Sequence, residues 1–453
     1  MAKTPVTKNE KLTVTIEDLT YEGMGVAKVD GYPLFIEGAL PEEVAEVVVV
    51  KAEKKYAFAR LLNLVQTSPD RVAPKAKAYA QTGIAPLQHL AYPAQLRFKQ
   101  NQVAQLFKKA HLDIDVLPTL GMDKAYGYRN KAQIPVRNVD GQLTTGFYKR
   151  RSHELLPLED FYIQDPAIDQ AIIVVRDLLR KYQIPAYNEA QNTGVIRHIM
   201  VRRGYFSHEL MIVLVSTTWA VEHLEELVAD ISKALPETAS IMLNLNNRKT
   251  NVILGKKTRT LFGHDYLEDK LLGLTFRISP LSFYQVNPQQ TEVLYQTAID
   301  AAGLTGDETV IDAYSGIGTI SLSMAKHAKR VIGVEVVPEA VHDAAVNAQL
   351  NNIKNADFVI GKAEEVMTKW AEEGQHADVL MVDPPRKGLA PEFTAAVGKI
   401  LPDKIVYVSC NPATLARDIA ALGEFGYVAK QTQPVDMFPQ TTSIESVTVL
   451  TKA

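Results

Sequence analysis

The sequence predicts an α/β chain. Its last third reads as a parallel sheet covered by helices, after a small N-terminal β-barrel and a mixed α+β central region. Three observations carry this. In the last third, "TVIDAYSGIGTISLSMAKHA", "RVIGVEVVPEAVHDAAVNAQLNN", "ADVLMVDPPRKGL" and "KIVYVSCNPATLARD" each run from an apolar strand through a turn into a helical pattern. Strands that are apolar nearly throughout are buried on both faces, which a parallel sheet between helices provides. Residues 11 to about 65 hold short alternating strands instead. The chain's 453 residues also exceed what one core organises, so several domains are expected.

The N-terminal strands are "KLTVTIEDL", "GVAKVDGYPLFIEG" and "EEVAEVVVVKAEKKYAFARLLNL", with turns at "EGMG" and "VDGYP". They amount to about five strands and predict a barrel over residues 1–65, resembling an OB-fold. Lys51, Lys54, Lys55, Tyr56 and Arg60 put cations and an aromatic on one late stretch. That suits RNA, and it equally suits a solvated strand edge. "QTSPDRVAP", residues 66–74, reads as a linker. A central domain is expected over 66–275, opening with a helix near 93–111 that packs on the C-terminal domain. "YGYRNKAQIPVR", "GFYKRRSHELLPL" and "VIRHIMVRRG" concentrate its cations. Arg129, Lys131, Arg137, Lys149, Arg150, Arg151, Arg197, Arg202 and Arg203 can line a phosphate track, or simply face solvent from antiparallel strands. The third domain is expected over 276–453.

Bulk composition narrows the class. Lys plus Arg number 49 against 52 Asp plus Glu, a formal charge of −3, so any nucleic-acid surface must be local. Cys410 is the only cysteine, which excludes an internal disulfide and a site built from cysteines alone. The start, "MAKTPVTKNEKLTV", lacks a signal-peptide core. No apolar run approaches the roughly 18 residues of a membrane span. A cytoplasmic monomer without membrane contact is expected.

Ligands of open α/β sheets sit beyond the carboxyl ends of the strands. Asp312, Glu335, Asp383 and Cys410 all fall at or just past such ends. Gly316 and Gly318 occupy a strand-to-helix turn, where missing side chains let backbone approach a ligand. Glu335 follows about 20 residues on, placed for ribose hydroxyls. With the stiff turn of "VDPPRKG", the set describes an S-adenosylmethionine site better than a dinucleotide site. Arg386 stands where amine-methylating enzymes carry an aromatic, which points to another acceptor atom.

A pyrimidine C5 is such an acceptor. It is a weak nucleophile until a thiolate adds to C6, and a base must afterwards remove the C5 proton. Cys410 is placed for the first task. A free thiol is only about 3% ionised at pH 7, a fraction that neighbouring cations or the helix of "ATLARD" could raise. Glu445, in "DMFPQTTSIESVTVL", is the base candidate; by position alone it also reads as an exposed strand-entry charge.

At these residues the chain resembles the bacterial RNA uracil-5-methyltransferases, class I S-adenosylmethionine enzymes with a Rossmann-like domain. "SFYQVNPQQ", "DAYSGIGTISL", "GVEVVPEAV", "VDPPRKG", "YVSCNPATLARD" and "DMFPQTTSIE" carry the resemblance over roughly residues 280–446. "YRNKAQIPV", "GFYKRRSHELLPL" and "IRHIMVR" extend it upstream. The resemblance implies Cys410 as nucleophile and Glu445 as proton acceptor. The two are 445 minus 410, or 35, residues apart. It implies Gln285, Tyr314, Glu335 and Asp383 as S-adenosyl-L-methionine contacts, and Phe283 and Arg129 as substrate contacts. The barrel resembles the TRAM domain of the ribosomal-RNA members, which implies 23S rRNA as partner and substrate, at one or two uridines.

Some relatives hold an iron–sulfur cluster on four cysteines. Here those positions are Ala76, Thr82, Ala85 and Phe161, so no cluster is expected, and Phe161 is the expected filler. The cluster-free members it resembles are Gram-positive. A tRNA substrate, cytidine C5 methylation and a non-catalytic RNA-binding assembly factor are the alternatives.

Overall fold

The computed structural model describes residues 4–453, apart from the Lys77 side chain. Met1–Lys3, where the start and the first domain were read, lie outside the described residues. By internal contacts the chain forms two units. One runs to Gln102 and includes Phe438–Ser443; the other comprises Val103–Met437 and Ile444–Ala453.

In the first unit, alternating side chains wrap six strands around one core. The strand order is Lys11–Thr15, Val44–Ala52, Ala57–Gln66, Tyr32–Glu37, Gly25–Val29 and Asp18–Leu19. Tyr32, Leu34 and Ile36 point inward from one strand and meet Val47, Val49 and Ala57 from others. The Glu17 amide donates to Val26 O at 2.8 Å, drawing the two ends of the sheet together. Strand Ala57–Gln66 is interior to the sheet, flanked on both sides, so the edge reading of the Tyr56–Arg60 stretch fails. Phe35, Tyr56 and Phe58 instead form an outward aromatic cluster, with ring centroids 5.6 to 5.9 Å apart.

The stretch read as a linker is anchored. Buried Glu43 receives the Arg71 guanidinium at 2.5 and 2.8 Å, and Arg71 also donates to Gly38 O at 2.6 Å. Burial pushes the Glu43 carboxyl up, yet Arg71 and the backbone amides of Leu40 and Ser68 leave it below its ordinary value. Gln440, at φ +70°, is held by a reciprocal amide pair with buried Gln95 (3.0 and 2.9 Å), and Lys99 donates to Phe438 O at 3.0 Å.

The second unit holds two large sheets. The first has the order Leu155–Pro157, Gln142–Tyr148, Lys131–Val139, Ile196–Arg203, Leu210–Ser216, Thr238–Leu245 and Lys257–Gly263. Phe161 is buried on Phe147, ring centroids 4.4 Å apart.

The second sheet has the order Ala356–Ile360, Arg330–Glu335, Thr309–Asp312, Val379–Val382, Lys404–Ser409, Glu445–Lys452, Tyr427–Val435 and Asp115–Val116. Its first five strands are parallel, as the apolar runs predict. The final strand is not. Glu445–Lys452 inserts antiparallel between Lys404–Ser409 and Tyr427–Val435. Helix Tyr92–Lys109 contributes Val103 and Phe107 to the core of this sheet.

Candidate active site

The parallel strands deliver their polar residues to one edge. Asp312 and Glu335 close their strands; Asp383 and Cys410 directly follow theirs. Glu445 opens the antiparallel strand, so it stands at that same edge. The register then decides its neighbour. Ser409 pairs with Ser446, the last pair of the register, so Cys410 and Glu445 lie at adjoining strand ends, and the Glu445 charge reaches the thiol. Glu445 is buried, so its reading as an exposed strand-entry charge fails; Cys410 is half-buried.

Burial sets the electrostatics. It pushes the Cys410 thiol up to about 11, aided by the Glu445 and Asp383 carboxylates, and the Arg386 charge only partly opposes this. One neighbouring cation does act on the thiol, but in the free protein lost hydration and two acids outweigh that one arginine. Glu445 is raised well above the carboxylate range by burial and then by Asp383, with Arg386 again opposing. Asp383 is raised to about 7 by burial and by Asp312. Asp312 is raised to about 6 by burial, against a 2.5 Å hydrogen bond from Ser321 Oγ.

The other expected ligand contacts gather around this edge. Glu335 accepts from the Gly316 amide at 3.1 Å and the Val337 amide at 2.9 Å, which fixes the turn. Gly316 has φ +54°, and no atom lies within 4 Å of where its Cβ would stand. Tyr314 is half-buried with its ring 5.9 Å from Phe393. Gln285 is buried; the Tyr295 phenol lies 3.3 Å from Thr319 Oγ1 and within reach of the Asp383 and Asp312 charges.

Phe283 is 67% exposed. Its loop is shaped by Arg202, fully buried, which donates to Ser279 O at 3.0 Å and Ser282 O at 2.9 Å. Arg129 is half-buried. Its neighbour Asn130 donates through its amide to Val286 O at 2.9 Å and through its side chain to Gln285 O at 3.1 Å.

Four of the nine cations named for a phosphate track are spent on partners within the fold. Arg202 and Arg197 are buried on carbonyls, the latter on those of Asn246, Arg248 and Thr250. Arg203 pairs with Asp165 at 2.7 Å, and Arg137 donates to the Val136 and Arg197 carbonyls. These cations close their own sheet.

Three residues near the site escaped the sequence reading. Tyr295 lies on helix Pro288–Ala302 at ordinary core spacing, so nothing marked it. Asp418, inside a helix, was likewise unmarked, whereas Asn411 did leave a signal, since Asn before Pro is a helix-start pattern. Asn411 caps helix Pro412–Gly423 through Ala413 N, and buried Asp418 accepts from Tyr407 OH at 2.7 Å.

Residues 91–453 match the family model described as tRNA (Uracil-5-)-methyltransferase, and residues 5–62 match the TRAM domain. The chain belongs to the tRNA (uracil-5-)-methyltransferase family. This methyltransferase is 60% identical over 448 residues to an "Uncharacterized RNA methyltransferase" of Lactiplantibacillus plantarum, covering 98% of each chain. It is 54% identical over 455 residues to one of Enterococcus faecalis, covering 100% of each. Among solved structures it resembles the Pyrococcus abyssi tRNA (uracil-54, C5)-methyltransferase in complex with S-adenosyl-L-homocysteine. That match has a TM-score of 0.78 at 26% identity, over 97% of this chain and 99% of that one.

The methyltransferase depends on S-adenosyl-L-methionine, and the edge just described fits that cofactor. Asp312 Oδ1 is buried without a hydrogen-bond partner among the described residues, and the Asp383 carboxyl beside it is raised by the Asp312 charge. An ammonium group satisfies such acids. No helix among the described residues is long and apolar enough to cross a membrane.

Proposed function

We propose that the chain methylates C5 of uridine in 23S rRNA through a covalent bond between Cys410 and C6. The observation that carries this is the antiparallel register that brings Cys410 and Glu445 to adjoining strand ends. S-adenosyl-L-methionine, when bound, supplies an electrophilic methyl group. Cys410 loses its proton and its sulfur bonds to C6, moving the C5–C6 π pair toward C5 and the C4 oxygen. C5 then takes the methyl group. Glu445 removes the C5 proton, the S–C6 bond breaks, and the double bond and thiolate return. A carboxyl raised by burial is a strong proton acceptor once ionised, which suits this step.

Phe283 packs on the uracil, and Arg129 contacts the same nucleotide. The Phe35, Tyr56 and Phe58 cluster offers a stacking surface beside exposed Lys54 and Lys55. A uridine drawn out of a stack costs a few kcal/mol, which such contacts offset.

The ribosomal substrate rests on the resemblance to TRAM-bearing, cluster-free members. A tRNA substrate is the second reading, favoured by the Pyrococcus abyssi relative, whose match spans the barrel as well. Unmodified 23S rRNA and tRNA, each incubated with labelled methyl donor and digested to nucleosides, separate them. 5-Methyluridine from 23S rRNA alone is expected, and mapping its positions counts the sites. Label from tRNA alone establishes the second reading. 5-Methylcytidine makes the enzyme a cytidine methyltransferase. RNA binding without transfer makes it an assembly factor.

Gln285, Tyr314, Glu335 and Asp383 would hold the cofactor, with Glu335 on the ribose and Asp383 with Asp312 toward the ammonium group. Both acids bind a cation only when ionised. Their free-state values of about 7 and about 6 lie far above an ordinary carboxylate. Affinity is therefore full above both values and falls as pH drops through them. Below pH ~6 the loss approaches about tenfold per pH unit for each proton taken up. Calorimetry with S-adenosyl-L-homocysteine at pH 5.5, 7 and 8.5 checks it; a flat affinity refutes the pairing.

A further inference from the structure

The loop that follows Asp383 is bolted to the helix that follows Cys410. Asn411 donates through Nδ2 to Arg386 O at 2.9 Å, while its Oδ1 caps the helix at Ala413 N, 3.1 Å away. Thr414 Oγ1 reaches the same carbonyl at 3.4 Å. Arg417 donates to Lys387 O at 2.9 Å and Leu389 O at 3.2 Å. Asp418 accepts the Leu389 amide at 2.8 Å. Gly388 sits at φ +75°, and a Cβ there would lie 2.4 Å from Asp418 Oδ2. Only a glycine fits between loop and helix at that point.

All these bonds use the backbone of the loop. The Arg386 side chain is exposed, and its guanidinium makes no hydrogen bond or ion pair with any described residue. A guanidinium is a permanent charge with five donors, usually spent on a partner. Here it is held unspent on a rigid turn, and its charge reaches both Cys410 and Glu445. The charged groups facing the thiol are Glu445, Asp383 and Arg386, and only the last favours a thiolate.

We propose that Arg386 is a positioning residue for the reaction, acting through Cys410: its clamped, unpaired guanidinium stabilises the thiolate that attacks the pyrimidine. This rests on Cys410 being the nucleophile. The thiol proton leaves to solvent, the sulfur pair forms the bond to C6, and the ring accepts the displaced π pair. An arginine suits the role because it keeps its charge throughout the thiol's titration, whereas a lysine can lose its own at the alkaline end.

The single cysteine makes the test direct. Iodoacetamide reacts fastest with thiols, so mass spectrometry of the Cys410-bearing peptide gives its alkylation rate from pH 7 to 10 without cofactor or RNA. Wild type rises with pH toward a midpoint of about 11. R386Q keeps the loop, since the clamps use its carbonyl, and thermal melting confirms folding. Its rate at pH 8 is expected to be about tenfold lower, equivalent to one unit of thiol pKa. R386K restores most of the rate at pH 8 and falls behind wild type by pH 10. Superimposable profiles for wild type and R386Q overturn the proposal. If R386Q then only weakens RNA binding, Arg386 is a phosphate contact. Should Cys410→Ala still methylate RNA, the nucleophile reading fails; should it be inactive while the profiles superimpose, only the Arg386 role fails.

Discussion

Cys410→Ala lowers methyl transfer to RNA by about a thousandfold or more, the scale on which a deleted nucleophile is felt. C5 of a pyrimidine does not take a methyl group from a sulfonium without prior addition at C6, and no other thiol exists in the chain to substitute. The fold tolerates the change. Cys410 is half-buried and follows its strand, so removing one sulfur alters stability by about 1 kcal/mol or less. Loss of activity with an unchanged melting temperature and unchanged S-adenosyl-L-homocysteine affinity is therefore the expected pair of results. A second readout uses RNA carrying 5-fluorouridine. Fluorine leaves no C5 proton to remove, so wild type stays bonded to the base through denaturing electrophoresis, and Cys410→Ala gives no such band. Turnover by the variant within tenfold of wild type would refute the covalent route.

Strand ends were legible because apolar runs give way abruptly to polar residues. Asp312, Glu335, Asp383 and Cys410 could be placed on one edge of a parallel sheet without coordinates. Glu445 could not be placed that way. Its nearness to Cys410 depends on an antiparallel strand inserted between two others, and strand order is a long-range property that no local pattern encodes. The cations were misread for a related reason. Arg197 and Arg202 lie in strand Ile196–Arg203, whose residues are buried on both faces but the last. A sequence shows that a guanidinium is present but not whether carbonyls across the fold will take its protons. The thiol's environment was the reverse case. A helix following Cys410 was foreseen, yet burial and two carboxylates supplied by other strands outweigh it.

Glu445→Gln is expected to stop the reaction one step later, with the methylated base still bonded to Cys410. The substitution keeps shape and removes the ability to accept a proton. The Glu445 side chain makes no hydrogen bond with a described residue, so the amide breaks no network. It also removes a carboxylate that disfavours the Cys410 thiolate. Addition at C6 should thus be as fast as in wild type or faster, while release slows by about 10²- to 10⁴-fold, the usual share of general acid–base catalysis. Accumulation is the consequence of that imbalance. Labelled methyl donor then marks a protein–RNA band that survives denaturation and disappears on ribonuclease treatment, leaving label on the protein. The same band is faint in wild type, where release keeps pace. Glu445→Gln with slow turnover and no accumulated band would assign proton removal to another group. Asp383, ionising near neutrality beside the same thiol, would be the next residue to change.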